Sequence, residues 1–130
     1  RAEAVALLDE LGVADHAGAY PETLPYAVRK RVALARALVA RPRLLLLDEP
    51  AGGLSAEDIE ELAALIVGLP ARSEGACSVM LVEHHMDLVM QVCTGIVVLD
   101  FGRVIASGTP QEIRDNPAVA EAYLGAGGAS

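Results

Sequence analysis

Apolar positions along this chain repeat with two different periods. Over residues 2–12, Val5, Leu7, Leu8 and Leu11 stand against Asp9 and Glu10, a short helical pattern stopped by Gly12. Residues 13–24 carry no period and read as loop. Residues 25–40 return to helical spacing, with Val28, Val32, Ala35 and Val39 on one face and Leu34 and Leu38 beside them. Pro25 suits the first turn, where a missing N–H costs nothing. Arg41-Pro42 ends this helix, because a residue before proline avoids the α region.

The run Leu44-Leu45-Leu46-Leu47 is too short for a helix and is bounded by Pro42 and Pro50, so it predicts a fully buried strand. Asp48 and Glu49 stand at its carboxyl end. Ser55 then has the place of an N-cap, with Glu57 and Asp58 in the first turn, and Ile59, Leu62, Leu65, Ile66 and Leu69 form the buried stripe of a helix ended by Gly68 and Pro70. After a polar loop over 71–77, residues 78–82 predict a second buried strand that runs into Glu83-His84-His85. A helix follows over 86–92, then a strand over 95–100, a turn at Phe101-Gly102, and a strand over 103–107 that closes a hairpin. Thr109-Pro110-Gln111-Glu112 is a capping box, and Asn116-Pro117 opens a last helix through Tyr123 with Gly125 as its stop. Residues 125–130 are small and read as a flexible tail. Strand, helix, strand, helix, strand in this order predicts an α/β fold with a mostly parallel sheet, its 44–82 crossover right-handed.

Composition narrows this. Of 130 residues 53% are hydrophobic but only 3% aromatic, so the core must be aliphatic, as suits helices on a parallel sheet. The formal net charge of −8 argues against nucleic-acid binding, which draws on a basic surface. The basic cluster Arg29-Lys30-Arg31 with Arg36, Arg41 and Arg43 reads as a solvated helix face. The two cysteines, Cys77 and Cys93, lie in apolar surroundings without metal-ligand spacing and read as core thiols of a reducing compartment. No apolar run approaches the roughly 18 residues needed to cross a bilayer. The chain opens on Arg inside a helical pattern, which suggests a piece of something longer.

Two acidic residues directly after a buried strand carry the chemistry. Ligands of open α/β sheets bind outside the carboxyl ends of the strands. A carboxylate there needs compensation, and a cation supplies it. Asp48 is placed to hold Mg²⁺ through water, and Glu49 to orient and polarise an attacking water. The bland alternative is that both cap the next turn. A parallel neighbouring strand brings His84 beside Glu49, where an imidazole can donate a hydrogen bond to a γ-phosphate; a lone histidine would otherwise be structural.

These residues resemble a known family. Leu44–Pro50, LLLLDEP, looks like the Walker B segment of ABC ATPases, Gly53-Leu54-Ser55 like their D-loop, and Glu83-His84 like their switch histidine. Leu24-Pro25-Tyr26-Ala27-Val28 and the helix after it align on the family's signature segment. The resemblance implies a three-layer P-loop NTPase-like fold with a C-terminal β-hairpin, here an incomplete domain without the phosphate-loop strand. Residues 1–41 would be the end of the helical subdomain with the signature segment, and residues 42–130 would hold Walker B, D-loop, switch histidine and C-terminal region. It implies ATP and Mg²⁺ as cofactors, a second ABC ATPase subunit as partner, and membrane-spanning permease subunits, at the inner face of the cell membrane. Residues 24–28 would face an ATP bound to the partner subunit, with the helix dipole aimed at its γ-phosphate.

The chain departs from that pattern. Where the family's signature has Ser, two Gly and Gln, this chain has Pro25, Tyr26, Ala27 and Val28, which implies a weaker or asymmetric ATP site. Ser55 and His85 stand where Asp is common. The C-terminal run, Val98-Leu99-Asp100-Phe101-Gly102-Arg103-Val104-Ile105 with Gly108-Thr109-Pro110 and Asn116-Pro117, is similar to the ATP-binding subunits of branched-chain amino-acid importers. Asp100-Phe101-Gly102 also spells a kinase metal motif, but it lies in a hairpin turn with no HRD-like loop upstream. No G-x-x-x-x-G-K-[ST] occurs in the chain, so the nucleotide cradle is missing. Two function classes follow: the C-terminal part of a transport ATPase, inactive alone, or a non-catalytic ABC-like module that completes or regulates a partner's site. A phosphate loop within about 150 residues upstream in the gene selects the first.

Overall fold

A computed structural model describes residues 1–72 and 76–127, the last four by backbone alone. The elements are α1 (Ala2–Glu10), α2 (Tyr26–Leu38), β1 (Leu44–Asp48), α3 (Ala56–Arg72), β2 (Ser78–Val82), α4 (Met86–Val92), β3 (Ile96–Asp100), β4 (Arg103–Gly108), α5 (Pro110–Arg114) and α6 (Pro117–Gly127), with short 3₁₀ turns at Ala14–His16 and Pro21–Thr23. They divide into two compact units, Arg1–Leu88 and the chain from Val89 onward.

The first unit is helices on a parallel strand pair. Leu7, Leu11, Val13, Leu34, Ala35, Leu45, Leu69 and Cys77 form its buried cluster. Gly12 makes this possible at the end of α1: its φ of 71° reverses the chain so that Val13 drops into the core, 2% exposed. On α3 the buried stripe is Ile59, Leu62, Ala63, Ile66 and Leu69, while Leu65 is only half-buried. Pro70 does not end this helix, as the sequence suggested; it lies inside it. The last turn is anchored from outside, by Leu69 in the core and by an ion pair of Arg72 with Glu10 of α1. On α2 Pro25 is the N-cap and not a residue of the first turn, and Val39, expected in the buried stripe, is exposed.

β1 and β2 pair in parallel without a shift, Leu44 opposite Ser78 through Asp48 opposite Val82. Neither strand is fully buried, which corrects the expectation from the aliphatic runs. Leu45 is buried and Leu47 and Val79 half-buried, but Leu44, Leu46, Met80 and Val82 are 54%, 66%, 57% and 53% exposed. Side chains alternate across a sheet, and the helices of this unit cover one face only. Aliphatic runs mark strands destined for two covered faces; here the second face is open.

The second unit is a hairpin with two helices against it. β3 and β4 are antiparallel, Ile96 opposite Gly108 through Asp100 opposite Arg103, with an irregularity between Val98 and Leu99. Phe101 and Gly102, at φ 46° and 76°, form the two-residue turn with both central residues left-handed that matches strand twist, so the kinase-like tripeptide is a hairpin. Val98, Ala106, Ile113 and Val119 are buried, and α5 and α6 both contact β4. The Thr109 hydroxyl accepts from the Glu112 N–H at 3.2 Å and donates to its carboxylate at 3.1 Å, closing the expected capping box. Asn116 caps α6 through the Ala118 N–H at 2.9 Å. That helix runs past Gly125 to Gly127, so residues 125–127 are helix where a tail was expected; residues 128–130 lie outside the described residues.

The exposed apolar positions on β1 and β2, two strands that among the described residues pair only with each other, are expected to make the 130-residue chain associate in solution. Light scattering is expected to show species larger than a monomer, and Leu46→Lys combined with Met80→Lys to shift them toward monomer. A strictly monomeric wild-type chain contradicts this.

Candidate functional site

Parallel pairing without a shift sets the two segments after β1 and β2 side by side. The Glu49 N–H donates to the Val82 carbonyl at 2.7 Å, one step past the ladder. Glu49 then adopts φ 47°, a left-handed conformation few non-glycine residues take and one that clusters at functional sites. Its carboxylate meets Nδ1 of His84 at 3.1 Å. This is the neighbour relation read from the sequence. Both side chains are well exposed, 58% for Glu49 and 72% for His84, so the contact adds little to stability. It leaves two polar groups facing open solvent at the strand ends.

Glu83 is the residue that sequence reasoning passed over. Its side chain is only 1% exposed. One carboxylate oxygen accepts from the Ala51 N–H at 3.1 Å; the other accepts from the N–H groups of His84 at 3.0 Å and His85 at 3.4 Å, and lies 3.5 Å from Nδ1 of His84. A buried carboxylate is tolerated where donors replace water, and here backbone donors come from both segments. The signal in the sequence was Glu83 itself, a charged residue between an apolar strand and the histidine pair.

Asp48 ends β1 with an exposed carboxylate that makes no hydrogen bond or ion pair with another described residue. It remains free as a hard oxygen donor. Among the described residues no three His, Cys, Asp or Glu side chains converge as a metal cage. A single exposed carboxylate such as Asp48 is a ligand of the kind Mg²⁺ takes, since that ion completes its shell with water and phosphate oxygens.

Of the D-loop residues, Gly53 has φ 76° and Leu54 is half-buried. The Ser55 hydroxyl is spent on the helix cap, accepting from the Asp58 N–H at 3.1 Å and donating to its carboxylate at 2.7 Å. In the signature segment Leu24 is buried, Val28 packs against the core, Ala27 is half-buried, and Pro25 and Tyr26 are exposed. Tyr26 also reaches back: its hydroxyl donates to the Gly52 carbonyl at 3.2 Å, and its ring lies where a side chain on Gly53 would stand, 2.9 Å from an ideal Cβ. Lys30 donates to the Pro50 carbonyl at 2.9 Å and lies over the Tyr26 ring, with Arg29 over the same ring. Arg31 pairs with Glu61 and Arg41 with Glu3, so much of the basic cluster is used internally. Cys77 lies in the buried cluster as a core thiol, whereas Cys93 is half-buried, and that burial pushes its thiol up.

The fold is that of part of an α/β domain of the P-loop NTPase kind. The chain belongs to the family of ABC-transporter ATP-binding proteins: the family model for ABC transporters matches residues 1–52, and that for the branched-chain amino acid ATP-binding cassette transporter matches residues 103–129. The high-affinity branched-chain amino acid transport ATP-binding protein BraF of Pseudomonas aeruginosa is 46% identical over 91% of this chain and 46% of its own length. LivG of Escherichia coli K12, described in the same words, is 41% identical over the same shares. Among solved structures, the ADP conformation of MJ1267, an ATP-binding cassette of an ABC transporter, superposes with a TM-score of 0.84 over 95% of this chain and 49% of that one, at 23% identity. The cbiO1 component from Clostridium perfringens gives 0.80 over 98% and 51%, at 29% identity. The chain thus spans about half the length of the relatives it matches. No helix among the described residues is long and apolar enough to cross a membrane.

His85 has a structural task of its own: its Nδ1 accepts from the Leu88 N–H at 3.3 Å, capping α4. His85→Ala is expected to cost about 1 kcal/mol, as cap removal does, and His85→Asp to restore most of it, both read from urea denaturation midpoints.

Proposed function

We propose that this chain is the hydrolytic edge of an ATP-hydrolysing subunit that powers ABC-type import of branched-chain amino acids. The observation that carries the reading is the Glu49–His84 contact of 3.1 Å at the carboxyl ends of a parallel strand pair. Glu49 orients and polarises the attacking water, and His84 donates to the γ-phosphate. Asp48 would hold Mg²⁺, which when bound would neutralise charge on the phosphates. The names of BraF and LivG support the transported class.

Partners follow from the same reading: a second ATPase subunit whose ATP meets residues 24–28, and membrane-spanning permease subunits, with the subunit at the inner face of the cell membrane. The uncapped N-terminus of α2 supplies dipole and free N–H groups there. A second reading, a non-catalytic module completing a partner's site, is favoured by one observation: Tyr26 is tied to Gly52 and Val28 is packed in the core, which leaves that segment little to offer a nucleotide.

Turnover separates the two. In a subunit that includes the phosphate loop, Glu49→Gln is expected to lower ATP turnover by roughly 10²–10⁴-fold, the range of a lost general base, with ATP binding kept. A wild-type subunit without turnover selects the second reading. The 130-residue chain alone lacks the phosphate loop motif and is expected to show no micromolar ATP binding by calorimetry. Pro25→Ser in the longer subunit is expected to raise turnover or ATP affinity, since it returns a hydroxyl and an N–H to the signature position.

A further inference from the structure

We infer that Glu83 is a positioning residue, a buried anion that joins the segment carrying Glu49 to the segment carrying His84 and so sets the contact between them. The inference rests on the proposed role of the Glu49–His84 pair for its functional part, and on geometry alone for its structural part.

The two segments have few other ties. Past Asp48 and Val82 the ladder offers one bond, from the Glu49 N–H to the Val82 carbonyl. The Glu49–His84 contact itself is between two well-exposed side chains, and exposed pairs hold geometry poorly, being screened and entropically costly. Glu83 is the opposite case. Its carboxylate is out of water, and its oxygens divide their acceptors between the segments: one takes Ala51, two residues after Glu49, and the other takes His84 and His85. Ala51 is itself buried, 6% exposed, where a backbone N–H left without an acceptor is costly. Charge-assisted bonds of this kind are shorter and stronger than neutral ones, and a buried anion stripped of one donor is costly, so the arrangement resists partial opening.

The chemistry demands acceptors on both sides. Glu83→Gln keeps the volume but puts an NH₂ donor against either the Ala51 N–H or the His84 and His85 N–H groups, a donor facing a donor. Glu83→Asp keeps the charge and shortens the reach. If Glu83 only stabilised the fold, both variants would loosen the whole first unit evenly. If it positions the pair, the effect is local.

The test uses the 130-residue chain, at a dilution that keeps it monomeric or with Leu46→Lys and Met80→Lys in the background, and ¹⁵N nuclear magnetic resonance with amide exchange. In Glu83→Gln the amides of Ala51 and His84 are expected to exchange more than about tenfold faster, the fold-change of one hydrogen bond, while the amides of Leu45 and Ile66 stay unchanged. The imidazole ¹⁵N shifts of His84 are expected to change as its Nδ1 contact with Glu49 is lost. Unchanged Ala51 exchange and His84 shifts overturn the inference, as does an equal rise at Leu45 and Ile66. In the longer subunit, Glu83→Gln is expected to lower kcat roughly ten- to a hundredfold, as a small misplacement of reacting groups does, with KM for ATP within about twofold. A kcat that does not move overturns the functional part; a wild-type subunit without turnover overturns the hydrolytic reading instead and leaves the resonance result standing by itself.

Discussion

Everything at this site depends on β1 and β2 running in parallel without a shift. Five residues of one face five of the other, Asp48 opposite Val82, so the first residues beyond each strand come off at the same height and on the same side. A slip of one residue would turn Leu45 outward and put Asp48 beside Glu83 in place of Val82. The register is held from below the site, by Leu45 in the buried cluster with Leu47 and Val79 packed against it, and not by the exposed Glu49–His84 contact. The apolar face of the strands therefore acts on chemistry at a distance: it decides which polar residues become neighbours.

Register alone delivers segments, not side-chain geometry. The turn over residues 49–52 receives a tie at every residue. Glu49 donates to Val82, Pro50 accepts from Lys30, Ala51 donates to Glu83, and Gly52 accepts from Tyr26. Two of these come from β2 and the loop after it, and two from α2. A backbone held so often can keep Glu49 at a positive φ, a conformation whose cost must be met by surrounding contacts. The strain at Glu49 and the density of bonds to its neighbours are then two aspects of the same arrangement.

Most of the fold was legible from periodicity and caps, because those signals are local. The Ser55–Asp58 and Thr109–Glu112 caps and the two-residue turn at Phe101-Gly102 need only a few consecutive residues, and they formed as read. The adjacency of Glu49 and His84 needed one further step, parallel pairing, which the βαβ order supplies. What could not be read was set by partners far along the chain. The exposure of Leu46 and Met80 reflects which face the helices cover, and aliphatic runs look the same whether one face or both are covered. Pro70 stays helical because Arg72 and Leu69 are held from elsewhere. Glu83 was overlooked because burial of a carboxylate depends on donors 32 residues away, at Ala51, and no spacing rule announces them.

The departures in the signature segment gain a physical sense from the same turn. Glycine at position 26 could neither donate to Gly52 nor fill the space over Gly53; Tyr26 does both. Lys30 then lies against the Tyr26 ring while it holds Pro50, so one helical turn of α2 grips the residues directly after Glu49. A segment of small residues would leave its backbone open to a phosphate but touch this turn little. This chain has exchanged openness for attachment: α2 is fastened to the loop that presents Glu49 by two hydrogen bonds, to Pro50 and to Gly52, one and three residues after Glu49.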